Sequence, residues 1–174
     1  MRTVKLSNLK TVFRDHPEFV DRLVVLWEGR DEIGYDEIAR DLGVLYAIFM
    51  LRGDPVFRWV QLYVLNCAKH VEYALNNEYC SLLEKTAEYL DGKISIDELR
   101  EYHKQLHNRT SASVRDTFPY KAASYAALCA SMTDAQSTAT YAEECLTCCI
   151  AVSTDPFAER GWQYDEFLLS CKLA

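Results

Sequence analysis

Between Val56 and Leu75 the residues Val56, Val60, Tyr63, Val64, Cys67, Val71 and Leu75 return at every third or fourth position, one stripe of a helical period. Asp54 and Pro55 stand just before it, an N-cap residue followed by a proline at the first helical position. A chain spaced this way buries its apolar side chains by laying helix against helix, because strand pairing needs a period of two. The rest of the chain repeats the pattern. Gly and Pro number only 6 and 4, too few for a fold built on many tight turns.

Ser7 is placed to cap a short helix from Asn8 to about Asp15. Pro17 opens a helix carrying Phe19, Val20, Leu23, Val24, Leu26 and Trp27 on its apolar side, ending at Gly29. The polar segment GRDEIG follows as a connection, and YDEIARDLG is a short helix stopped by Gly43. VLYAIFMLRG is apolar almost throughout, and over residues 45–51 a two-turn helix and a buried strand are both open. Asp91-Gly92 ends a helix with Leu82, Leu83, Thr86, Ala87 and Leu90 on one side. Ser95 with Glu98 forms a capping box that opens the next, with Ile96, Leu99, Tyr102 and Leu106 aligned. Pro119 starts an alanine-rich helix to about Met132. Thr133 with Gln136 forms another capping box for a helix over Asp134–Val152, and Thr154 or Asp155 caps a last helix with Pro156 at its first position. The expectation is an all-α, single-domain bundle or array of about eight or nine helices over residues 1–174, with N-terminal helices of unassigned type in 1–53 and a core array in 54–174.

The formal net charge is −7. Excess acid disfavours nucleic acid and anionic membrane surfaces, which are held by Lys and Arg, and suits a basic protein partner. No apolar run approaches the roughly 20 residues of a membrane span. MRTVKLSNLK has no apolar core of a secretory signal, so the expected location is the cytoplasm with the seven cysteines reduced.

From Ala122 to Ser153 the chain holds nine alanines and four cysteines and little charge. Ala122, Ala123, Ala126, Ala127 and Ala130, then Ala135, Ala139, Ala142, Cys145, Leu146 and Cys149, recur at helical spacing. Small residues in a stripe let two helix backbones approach closely, and reduced cysteine serves there as a small hydrophobe. The expected role is therefore a helix seam, inside one chain or between copies in a homo-oligomer. The sharper alternative is zinc, since His103, His107, Cys145 and Cys148 are suitable ligand types. A redox pair is less apt, because Cys145 lies near the middle of its helix and not at an N-terminus that would activate it. The chain has no GxSxG, P-loop, GxGxxG or HExxH sequence. The expectation is a protein that binds and does not catalyse, without a cofactor.

Two stretches are candidates for such binding. The segment from Trp27 to Asp41 sets Glu28, Asp31, Glu32, Asp36 and Glu37 beside the aromatic residues Trp27 and Tyr35. Charge steers a basic partner, and rings supply anchors. Near the C-terminus, Trp162 and Tyr164 form a second aromatic pair.

The pieces RWVQLYVLNCAKHVEYAL, LEKTAEYLDGKISIDELREYHKQL and AASYAALCASMTDAQSTATYAEECL follow one another in order. Over about residues 56–150 this arrangement resembles the helical immunity proteins of bacterial polymorphic-toxin systems; the first 53 residues have no counterpart in it. The resemblance implies an inhibitor that masks a toxin or enzyme, with no catalytic residues to carry over. A phage-encoded anti-defence inhibitor, of the anti-CRISPR kind, fits the same description.

Overall fold

A computed structural model describes residues 3–8, 13–14, 17–53 and 58–173. The Asp54-Pro55 start, Val56 and most of the helix expected over residues 8–15 lie outside the described residues. Strand β1 (Thr3–Lys5) is followed by α1 (Pro17–Leu26), β2 (Glu32–Gly34), α2 (Tyr35–Leu42) and α3 (Val44–Met50). Then come α4 (Arg58–His70), α5 (Asn77–Leu90), α6 (Ile96–Arg109) and the single turn α7 (Ala112–Arg115). The long helices α8 (Phe118–Ser131), α9 (Ala135–Val152) and α10 (Pro156–Leu173) complete the order. The fold is all-α, with nine helices of seven or more residues among the described ones. None of the described helices is long and apolar enough to cross a membrane.

The sheet is a departure from the expected connection at GRDEIG. Val4 pairs with Ile33, Thr3 with Gly34 and Lys5 with Glu32 in antiparallel register. Val4 and Ile33 point into the core at 5% and 0% exposure. Three residues are too few for an alternating pattern to stand out from a polar loop. Over residues 45–51 the ambiguity resolves as helix, with α3 running into a 3-10 turn at Leu51–Gly53.

The stripe on α4 is the axis of the core. Trp59, Val60, Tyr63, Val64 and Cys67 are buried, and α4 touches α5, α8, α9 and α10. Phe167 of α10 meets Trp59 and Tyr63 edge-on, at ring separations of 5.5 and 5.4 Å. Two polar side chains of α4 taken into this core find partners, whereas the Trp59 indole N–H has none among the described residues. The Tyr63 hydroxyl donates to the Gln163 carbonyl at 3.1 Å. The buried Gln61 amide donates to the Cys129 and Ala130 carbonyls at 3.1 and 2.9 Å, closing the end of α8.

The helix ends follow the expected chemistry with shifts of a residue. The Ser95–Glu98 capping box is formed in both directions. Asp134, not Thr133, caps α9, accepting from the Ser137 amide at 2.7 Å; a carboxylate is the stronger acceptor for an orphan amide. Asp155 accepts from the Phe157 and Ala158 amides at 3.0 Å each. At the end of α1, Gly29 donates to the Val24 carbonyl and Glu28 to the Val25 carbonyl. That is a Schellman pattern in which Glu28, at φ 53°, takes the left-handed position usually given to glycine.

The alanine seam lies within one chain. Ala122, Ala123, Ala126, Ala127 and Ala130 of α8 are buried, as are Ala139, Ala142, Cys145, Leu146 and Cys149 of α9. The Cys145 thiol donates to the Ala122 carbonyl at 3.3 Å and the Cys129 thiol to the Thr138 carbonyl at 3.5 Å. Only a small side chain at each step allows a thiol to reach the opposite backbone.

Candidate partner-binding surface

The acidic segment does not present its rings. Trp27 is 6% exposed and Tyr35 is fully buried, so neither is a surface anchor. Each sits on the apolar stripe of its helix, Trp27 one turn beyond Leu23 and Tyr35 one turn before Ile38, which carries it inward. The Trp27 indole donates to Asp41 at 3.1 Å, and the Tyr35 ring lies 6.3 Å from that of Trp59.

Most of the acids are engaged locally. Arg30 forks onto Glu37 at 3.2 and 2.6 Å, and the Gly34 amide donates to the same carboxylate at 3.1 Å. Arg30 first, then the Gly34 amide, holds Glu37 below the usual carboxylate range. Asp31 accepts from the Ser7 amide and hydroxyl at 2.9 and 3.2 Å, and Glu32 pairs with Lys5 at 3.5 Å across the sheet. Asp36 is half-buried against Gly34, where a Cβ would collide with its carboxylate. Glu28 remains exposed. Near the C-terminus, the half-buried Trp162 stacks on His70 at 3.8 Å with the rings 3° from parallel. His70 in turn bonds the buried Glu159 at 2.8 Å.

The open apolar surface is elsewhere, on α3. Its sequence VLYAIFM is apolar all round. Ala47, Ile48 and Met50 are fully buried, but Leu45 and Tyr46 remain 40% and 48% exposed. Leu45 and Tyr46 wall a cleft of about 450 Å³ with Leu42, Val44, Ile150 and Tyr164. Tyr46 also closes a second cleft of about 460 Å³ with Phe13, Phe19 and Phe49. The rings of that cleft form a chain, Phe49–Phe13–Phe19–Tyr46, at successive separations of 4.8, 5.2 and 6.3 Å. Glu18, Arg22 and Arg160 stand at the rims. On α1, Val25 and Leu26 are 80% and 47% exposed. Of the residues expected to meet a partner, Tyr164 alone lines these clefts. Leu45 and Tyr46 were legible only as one fact: a helix apolar on every side needs cover on every side.

Three of the four residues considered for zinc meet partners of their own. His103 Nε2 bonds the Ser124 hydroxyl at 2.7 Å, and His107 Nδ1 bonds the Tyr120 hydroxyl at 2.8 Å. Cys145 turns to the Ala122 carbonyl and to Cys149 at 4.0 Å. Ala122 and Ser124 are two residues apart on α8, which places them on opposite sides of that helix. Cys145 is thereby held apart from the histidines, and among the described residues no three His, Cys, Asp or Glu side chains converge to hold a metal. Burial pushes the Cys148 thiol up to about 12, and it raises Cys129 and Cys67 too, so the thiolate that disulfide exchange would use is disfavoured.

No protein-family model, no curated protein and no solved structure matches the chain.

Proposed function

We propose that this chain binds another protein and blocks it, as an inhibitor of the immunity type, using the open face of α3 as its anchor. The supporting observation is the pair Leu45 and Tyr46, left in water on a helix that is apolar all round and flanked by two clefts. Covering such a surface with a partner removes apolar area from water, and aromatic side chains in clefts are the usual anchors. The partner suited to it carries an apolar segment within a basic surround. Residues 17–42, which lead into α3, hold eight acids against three arginines, and that field steers a basic protein. Blocking needs a large complementary surface and no reacting group. On this reading the protein works in the cytoplasm, where its seven free cysteines stay reduced. A phage inhibitor of a host defence enzyme would use the same surface, and the identity of the captured enzyme separates the two settings.

The test is reconstitution. The protein that co-purifies with the tagged chain is isolated and rebound in defined amounts to the wild type, Leu45→Glu and Tyr46→Glu. Both variants are expected to keep their helical circular dichroism, weaken binding roughly tenfold or more, and relieve inhibition of the partner. A partner bound and blocked equally well by both variants would overturn the reading.

A further inference from the structure

The seam between α6 and α8 opens into a cleft of about 470 Å³ that shares no lining residue with the α3 surface. Its floor is polar. Ser124 is buried and bonds His103, and Tyr120 is buried and bonds His107. Its rim carries Arg115 and Lys121, and its wall carries Tyr125 and Leu128.

The Arg115 guanidinium is held by an imidazole. Acids outnumber Lys and Arg by 26 to 19, yet among the described residues no carboxylate lies within ion-pair distance of its guanidinium. It approaches the neutral side of an imidazole instead, with Nη1 at 2.5 Å from His107 Nε2. A guanidinium can only donate, so Nε2 accepts and His107 carries its proton on Nδ1, directed to Tyr120. One N–H is spent this way and the fork keeps its remaining donors. Lys121 has a loose partner, Asp116 at 3.7 Å, whose side chain is 83% exposed and free to swing into water. From Tyr102 to Tyr125 the sequence holds Lys104, Arg109, Arg115 and Lys121 against Asp116 alone, with Arg109 paired to Glu78 of α5.

We propose that this cleft binds the phosphoryl group of a small phosphate monoester, with the oxyanion between Arg115 and Lys121 and the organic part against Tyr125 and Leu128. Two cations lining one cleft match a dianion, and a guanidinium fork fits phosphate oxygens in pairs. The cleft is larger than a bare phosphate fills, and its aromatic and aliphatic wall has no use for an inorganic ion.

Phenyl phosphate is the probe, titrated into the full chain while the ring signals of His103 and His107 are followed by nuclear magnetic resonance. A saturable shift of both histidines is expected, with Arg115→Gln and Lys121→Gln each raising Kd roughly tenfold or more. Arg109→Gln, whose arginine pairs with Glu78 outside the cleft, should leave Kd unchanged. Thermal melts establish that each variant is folded. No saturable shift up to about 10 mM, or equal affinity in both cleft variants, would overturn the site. Inorganic phosphate binding as tightly as phenyl phosphate would overturn the monoester and leave the ion alone as the ligand.

Discussion

At the scale of single residues, the lesson is how far a side chain's neighbours decide its role. Trp27 and Tyr35 sit among acids in sequence, but each is carried inward by the apolar stripe of its own helix. The composition of the segment was legible; the direction of each ring was hidden because the short sheet and the turn that set it are not periodic. Glu28 is the counterpart. Gly29 marks the end of α1 in the sequence and is left-handed at φ 77°, yet the left-handed run begins one residue earlier, on Glu28 at φ 53°. A side chain there meets the backbone, while glycine does not, at the price of more freedom in the unfolded chain. Glu28→Gly should therefore stabilise the fold by about 0.5–1 kcal/mol, read as a raised midpoint in urea; a lowered midpoint would contradict the cap assignment.

At the scale of elements, the seam between α8 and α9 was the most legible feature. Alanine and cysteine at helical spacing allow close approach, and every one of the stripe residues except the half-buried Ala135 is buried between these helices. What spacing alone left open was whether the seam joins two helices of one chain or two chains. Because both stripes face each other within the chain, Ala139→Leu should overpack it and cost about 1–3 kcal/mol, with no change of assembly state by light scattering. The seam between α6 and α8 makes a second prediction. Burial first, and then the neighbouring His107, hold His103 below the usual histidine range. Its neutral form is favoured by folding, so this contribution is complete above the unfolded value of about 6.5 and is lost as the pH falls towards the lower folded value. Tm should drop between about pH 7.5 and about pH 5.5, and His103→Gln, which keeps an acceptor for Ser124, should flatten that part of the profile. A wild-type Tm that rises on acidification would contradict the burial of this imidazole.

At the scale of the whole molecule, helix caps and stripes carried the fold class. The expected helix starts at Ser95 and Pro119 lie within a residue of the observed Ile96 and Phe118, because a cap and a proline act through local chemistry. The proposed binding surface was not legible in the same way. It is made where α1, α3, α9 and α10 meet, and Leu45, Ile150 and Tyr164 are brought together only by the packing of distant segments. The cysteines test that packing as a whole. Six are buried and Cys80 is intermediate, so a thiol reagent on the native protein should find at most one reactive site per chain until the protein is unfolded. A native titre of two or more would mean that the seam or the α4 core opens readily. The most direct measurement of the binding claim is hydrogen exchange of the chain alone and in complex with its purified partner. The α3 surface predicts new protection over residues 42–50, extending to the turns of α9 and α10 that carry Ile150 and Tyr164. Protection confined to the α6–α8 cleft, with α3 exchanging as it does alone, would contradict it.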